Sequence, residues 1–474
     1  MKKLALLLIA FLLLQISTSA QGEFLIDTIS TINSEQLNPA ITAGGSKYMV
    51  FWEDDRIIPI NLHGAVINSE GIVQTKTEIW NSYHRFAPSI AFDGNKFFLA
   101  YKRYSIVATL TYNSTGVVVY PFEIPHYGGD VYYDPEIVFG DSSYLVIWPC
   151  DGDGRVFGLE GRMLSPNGMM GDLFNIIREP PDHISLAFSG ENYLVALEEF
   201  DNVYGERIDA SGVPIPSANI KISVKPTIEQ KPEIAFDGAN YLIVWQDDRN
   251  GNDFDIYGAR VTTSGEVLDT LGLPIETADS DQVNPEIAFD GENYVVVWED
   301  YRNGPEVDIY GAKLDIEGNV IESFPISTQE GDQIHPALVR GSDNKVLVVY
   351  SGWTNEYQGK TYNSMRIWGK MLGMPSSIDE DKNNFVVTNF NLEQNFPNPF
   401  NPSTKIEYSV PQSSTVVIKV FDILGNEIET LVKEEKPTGT YEITWYAEGL
   451  PSGVYFYRLQ AGSFVETKKM LLMK

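Results

Sequence analysis

KPEIAFDGANYLIVWQDDR, from Lys231 to Arg249, returns 53 residues later as NPEIAFDGENYVVVWEDYR, from Asn284 to Arg302. Each copy leads into a second block, DIYGARVTTSG (Asp255 to Gly265) and DIYGAKLDIEG (Asp308 to Gly318). A repeat outranks any single motif, because self-similar units bury their core against one another. Weaker copies begin at Pro39, Pro88, Pro135, Ile184 and Pro336, so with Pro232 and Pro285 there are seven starts, 47 to 53 residues apart. Thirteen residues after each start stands a large side chain: Trp52, Tyr101, Trp148, Leu197, Trp245 and Trp298, with Tyr350 one residue later. A glycine recurs in the second block (Gly64, Gly161, Gly205, Gly258, Gly311, Gly369), and turn glycines such as Gly265 and Gly318 close it.

Each unit reads as four short strands. In the sixth these are Glu286 to Phe289, Tyr294 to Trp298, Asp308 to Leu314 and a strand around Phe324 to Ser327, with Asp290-Gly291 and Glu317-Gly318 as tight turns. The second strand is apolar on both faces, as expected of a sheet covered on both sides. Seven such units predict an all-β, seven-bladed β-propeller of four-stranded blades over residues 21–374, a fold that limits exposed strand edges by radial repetition. The seventh unit lacks an obvious fourth strand, and Ile26 to Ser30 is expected to supply it and join the ends of the ring.

Lys2 and Lys3, the apolar run Leu4 to Leu14, and Thr18 and Ala20 before Gln21 have the form of a secretory signal peptide over residues 1–20. That run is too short to span a bilayer comfortably and no other segment is long enough, so no transmembrane segment is expected. The single cysteine, Cys150, allows no internal disulfide, and core burial must hold the exported protein together. With 65 acidic and 34 basic residues the net charge is −31, which makes nucleic acid an unfavourable partner.

Residues 375–388 turn polar and acidic and read as a linker. Beyond them, over 389–474, come NFPNPFNPSTKIEYSVP (Asn395 to Pro411), VVIKVFDILGNEI (Val416 to Ile428) and GTYEITWYAEGLPSGVYFYRL (Gly439 to Leu459), the alternation of a small antiparallel, immunoglobulin-like β-sandwich. These blocks, in this order and followed by the basic Thr467-Lys468-Lys469-Met470, closely resemble the type A C-terminal sorting domain of the type IX secretion system. The resemblance implies passage through the periplasm and across the outer membrane, with the type IX machinery as partner and release or surface attachment as the end point.

In the propeller the turns between strands one and two, and three and four, are short and glycine-based. The other connections are expected to be longer and acidic, as at Glu53-Asp54-Asp55, Asp151-Gly-Asp153, Glu198-Glu199 and Asp247-Asp248, and that end is the expected ligand face. Three matched pairs there are the binding candidates: Asp54 with Arg56, Asp247 with Arg249, and Asp300 with Arg302. Their recurrence also suits a structural device that serves the repeat. Asp248, Asn250, Asn252 and Asp253 alternate oxygens as calcium loops do, without the full spacing of an EF-hand; calcium is the one cofactor they suggest.

No nucleophile elbow, phosphate-binding loop, dinucleotide fingerprint or paired-histidine zinc helix is present, and no catalytic residue is assigned. The expectation is a secreted or surface-displayed, non-enzymatic binding or adhesion module for an extracellular glycan or protein. The alternative is a polysaccharide hydrolase or lyase that uses carboxylates of the long-loop face.

Overall fold

The structure is a computed structural model. It describes residues 22–27, 34–56, 60–79, 86–103, 106–113, 118–124, 130–131, 134–151, 158–177, 179–216, 219–342 and 344–373, and in the C-terminal part 391–392, 395, 400, 402–410, 414–423, 425–436, 439–447, 449–462 and 464–472. The signal peptide, the linker, Asp153 and residues 28–33 lie outside the described residues. The chain divides into two units, Met1–Ser377 and Ile378–Lys474.

In the first unit seven antiparallel sheets follow one another along the chain; their strands run in sequential order except that the seventh takes its outer strand from the N-terminus, and the third gains the short strand Asp130–Val131. Their inner strands are Gln36–Gly44, Phe86–Phe92, Glu136–Phe139, His183–Phe188, Glu229–Phe236, Gln282–Phe289 and Gln333–Arg340. Each neighbours the next and the last returns to the first, so the sheets are the seven blades of a closed propeller.

The doubly apolar second strands now have a cause. Along Asn240–Asp247, Tyr241, Ile243 and Trp245 pack against the fourth blade, while Leu242 and Val244 pack with Tyr294, Val296 and Trp298 of the sixth. The core therefore sits between blades, and every side chain from Tyr241 to Asp247 is buried. The second-block glycines give room for this packing. A Cβ at Gly369 would come within 2.7 Å of the Phe24 ring, and one at Gly258 within 3.1 Å of the Ile243 carbonyl oxygen.

The N-terminal strand does close the ring, but three residues earlier than its expected start. Glu23–Leu25 pairs antiparallel with Trp368–Lys370, and the Ile26 N–H continues the ladder by donating to the Ile367 carbonyl at 2.9 Å. The reason is burial: Leu25 and Ile26 are covered by the seventh blade and its neighbours, and Asp27 is held by Gln36, Arg56 and Lys76.

Long connections between second and third strands are found in the first, fifth and sixth blades, but not in the fourth or the seventh. In the fourth blade Asn192–Glu199 turns directly into Asn202–Asp209 through Phe200 and Asp201, both at positive φ (51° and 56°). In the seventh, Val346–Tyr357 and Lys360–Leu372 run on as a long hairpin closed by Gln358-Gly359. Glu198 and Glu199 thus belong to a strand, and Glu198 is buried.

The C-terminal unit is a β-sandwich. One sheet joins Glu427–Lys436, Ser414–Phe421, Gly453–Ala461 and Phe464–Leu472, and the other joins Asn391–Leu392, Ser403–Val410 and Gly439–Tyr446. Ile406, Tyr408, Ile418, Val420, Trp445 and Leu459 share its core. The Asp422 to Asn426 turn is fixed by Asp422, whose carboxylate accepts from the Asn426 backbone N–H at 2.8 Å and from its side-chain amide at 2.9 Å.

Candidate functional site

The Asp and Arg pairs lie at the ends of the second strands, and their geometry follows from strand periodicity. Residues two apart share a face, so the carboxylate of Asp300 meets the indole of Trp298. The Trp298 Nε1–H donates to Asp300 at 2.7 Å, and Trp245 donates to Asp247 at 2.9 Å. The backbone N–H of Arg302 and of Arg249 donates to the same carboxylates at 2.9 Å, and each guanidinium folds back onto them. Arg302 also reaches Glu276 of the preceding blade at 2.9 Å, and Arg249 donates to the Leu271 carbonyl at 2.6 Å while lying over the Tyr257 ring.

Arg56 bonds both Asp54 and Asp27. Burial acts to raise the Asp27 pKa, but Lys76 and Arg56 outweigh it and hold the carboxyl at about 2. Asp54, Asp247 and Asp300 are at most 1% exposed. The three pairs are thus brought together within their blades, around an indole that must not lose its acceptor. The third blade makes the point by exception: Cys150 stands where the aspartate would be, and Trp148 donates to Glu160 instead.

In the oxygen-rich turn, Asn250 accepts from the backbone N–H groups of Asn252 and Asp253, and Asp253 accepts from Ser280 N–H at 2.9 Å. Asp248 accepts from Ile228 N–H at 2.8 Å. Among the described residues no group of three or more His, Cys, Asp and Glu side chains is placed to hold a metal ion.

A second constellation, absent from the sequence reading, forms on the inner strands. Proline offers no N–H to the ladder, so the strand is interrupted at each Pro. The residue before it takes positive φ at Asn38, Lys231, Asn284 and His335, and the register slips there in a bulge. Its N–H is caught by the preceding blade: Lys231 by Glu198 at 3.0 Å, Asn284 by Gln246 at 3.0 Å, and His335 by Glu299 at 2.8 Å. Bulges re-aim side chains. Here the residues on either side of the prolines border a central cavity of about 340 Å³ to which all seven blades contribute.

The residue after the proline differs from blade to blade. Ser89 donates to Glu136 at 2.9 Å, and Ser185 donates to Glu233 at 2.7 Å, with His183 Nε2 on the other Glu233 oxygen at 2.8 Å. Glu286 occupies the same position in the sixth blade without a hydrogen-bond partner among the described residues. Burial, then repulsion from Glu233, pushes the Glu136 carboxyl up to about 8. Burial with repulsion from Glu233 and Glu136 raises Glu286 well above the carboxylate range, and burial with nearby Lys231 lowers His335. Asp134 and Asp182 add two further carboxylates to the lining.

Fold and site together define a seven-bladed propeller with a polar central cavity. The family profile of the secretion system C-terminal sorting domain matches residues 394–473, so the sandwich is that domain and the protein is carried across the outer membrane to the surface or the medium by type IX secretion. No curated protein matches the chain. Among solved structures it is similar to PorZ, a surface component of the type IX system of Porphyromonas gingivalis (10% identity, TM-score 0.40, 94% of this chain and 61% of that one). It is also similar to the β-propeller domain of the Trilobed protease of Pyrococcus furiosus (12%, 0.43, 72% and 94%) and to an α-L-arabinanase of Penicillium chrysogenum complexed with arabinobiose (12%, 0.44, 74% and 97%). Likeness of this degree carries no ligand or activity to this chain. No helix among the described residues is long and apolar enough to cross a membrane.

Proposed function

We propose that the propeller is a binding or adhesion module for a glycan or a protein outside the cell, and that its contact site is the central cavity and its mouth. The observation that supports this reading is the convergence of blade-specific polar side chains on one concave space built by a rigid ring. Ligand sites take this form: a preformed concavity with a few placed polar groups. The Asp and Arg pairs favour it by contrast, since their acceptors serve the tryptophans of their own blades.

A hydrolase or lyase is the rival, and one observation favours it. Glu136, raised to about 8, and Glu233, which receives two hydrogen bonds, are carboxyls in contrasting environments within one cavity, as an acid and a base must be. A glycan and protein array combined with a reducing-sugar assay, run on the exported protein and on Glu233→Gln, decides between them. Saturable binding without product, weakened roughly tenfold or more by the substitution, is expected. Product formation abolished by Glu233→Gln establishes the rival. Binding indifferent to Glu233→Gln places the contact outside the cavity and overturns the proposal.

A further inference from the structure

We propose that the central cavity is a receptor for an organic cation, an ammonium or guanidinium group carried either by a polypeptide side chain or by a free amine. This rests on the reading of the propeller as a binding module and names the chemistry of its ligand. The lining sets five carboxylates, Asp134, Glu136, Asp182, Glu233 and Glu286, against one lysine, Lys231, and two histidines. Charge alone would be a weak argument, since acidic clusters are common on so acidic a chain. Two particular atoms strengthen it.

The first is the Glu286 carboxylate. In the third and fifth blades the equivalent glutamate receives a hydroxyl from the preceding blade, Ser89 for Glu136 and Ser185 for Glu233. The blade before Glu286 carries Glu233 at that position, so Glu286 meets a like charge where its counterparts meet a donor. A half-buried carboxylate that faces a like charge without a donor is disfavoured, and a ligand bearing N–H groups and positive charge supplies both missing elements. The second is His335 Nδ1, a buried ring nitrogen on the cavity wall that has no hydrogen-bond partner among the described residues. Burial and Lys231 favour the neutral ring, which offers a hydrogen bond to a cation without repelling it.

The rest of the lining suits an organic cation better than a bare metal ion. No three of these side chains converge as metal ligands do, and calcium requires six to eight oxygens at about 2.3–2.6 Å. The cavity of about 340 Å³ is far larger than an ion and lies at the lower end of small-molecule sites, roughly 300–1,000 Å³. Pro39, Pro88, Pro135, Pro285 and Pro336 place ring carbons along the wall. Such a surface accepts the methylene stem of a lysine or arginine while its charged end reaches the glutamates.

Isothermal titration of the full exported chain tests this with n-butylamine, with an end-blocked Gly-Gly-Lys-Gly-Gly peptide, and with calcium chloride, each in two buffers of different ionisation enthalpy near pH 7. Saturable one-to-one binding of an amine is expected, with protons released as it displaces those held on Glu136 and Glu286. Tighter binding of the peptide identifies a polypeptide as the source, and equal or weaker binding identifies a free amine. Glu286→Gln keeps the side-chain shape and removes a repulsion; it should leave the melting temperature no lower and weaken amine binding roughly tenfold or more. The proposal is overturned if neither amine saturates, if Glu286→Gln leaves their binding unchanged, or if calcium alone binds and loses affinity in that variant. Failure here beside glycan or protein binding that Glu233→Gln weakens removes the cation and leaves the binding module standing.

Discussion

The second strand and the inner strand of each blade are neighbours in the same repeat, yet they spend their polar residues differently. Along the second strand the pattern is kept: Trp52, Trp245 and Trp298 are each followed two residues later by an aspartate and four residues later by an arginine, and the three sets make the same bonds. Along the inner strand a bulge recurs in the first, second, fifth, sixth and seventh blades, but the side chains at the proline change from blade to blade. The positions flanking the proline read Asn38 and Ala40 in the first blade, Asp134 and Glu136 in the third, Lys231 and Glu233 in the fifth, and His335 and Ala337 in the seventh. In a ring of equivalent units, a residue that every unit needs is tied to the fold, whereas residues that differ are free to shape a single asymmetric site.

The comparison breaks first if the ring does not depend on its closure. Removing residues 22–27 deletes the ladder to Trp368–Lys370, the burial of Leu25 and Ile26, and the carboxylate shared by Arg56 and Lys76. A loss on the order of 5 kcal/mol in denaturant unfolding is expected, since each buried aliphatic side chain accounts for about 2–5 kcal/mol. An unchanged midpoint would mean that the seventh blade holds together without its fourth strand.

Next in size are the indoles. Trp245→Ala or Trp298→Ala opens a cavity between two blades and should cost about 3–5 kcal/mol, read from chemical denaturation. Iodide should fail to quench either residue in the folded protein, because both are fully buried. Asp300→Ala sharpens the same point at smaller scale. It leaves the Trp298 N–H without its acceptor and the Arg302 guanidinium with Glu276 alone, and a loss of about 1–3 kcal/mol is expected with ligand binding unchanged. If binding falls while stability holds, the pairs contact the ligand and the division between the two strands is wrong.

Much of the architecture was legible because burial and turns write themselves into sequence. The doubly apolar run Tyr294 to Trp298 and the turn glycines Gly265 and Gly318 announce a sheet covered on both faces and closed by tight turns. The start of the closing strand was less legible, because Phe24, Leu25 and Ile26 give three apolar residues with no alternation to fix a register. The inner-strand site was hidden for a different reason. Its signal was present as Asp134-Pro-Glu136, Lys231-Pro-Glu233 and Asn284-Pro-Glu286, but a residue before proline is normally extended. Positive φ at Lys231 and Asn284 and the resulting bulge arise from blade-to-blade bonds with Glu198 and Gln246, which no local pattern encodes.

The smallest expected effect is the response to pH, and it bears directly on the inner strands. Glu136 and Glu286 share with Glu233, Asp134 and Asp182 a cavity whose lining includes one fixed cation, Lys231, accompanied by His183 and His335. Their folded-state pKa values are raised, Glu136 to about 8, so the native protein binds more protons than the unfolded chain between the ordinary glutamate value and that point. Stability must then fall as pH rises through this window and level off above it. Asp27 acts with the opposite sign: held at about 2, it contributes stability that is present above the ordinary aspartate value and lost as pH falls towards 2. A maximum in mildly acidic solution follows, with a decline on the order of 1 kcal/mol towards pH 8 after allowance for the water-accessible cavity. Urea midpoints measured from pH 4 to pH 9 should show it, and Glu286→Gln should flatten the alkaline limb by removing both a titrating group and its repulsion of Glu136. A limb of the same slope in wild type and variant would show that Glu136 and Glu286 titrate independently of each other, and that the blade-to-blade variation along the inner strand has no electrostatic consequence.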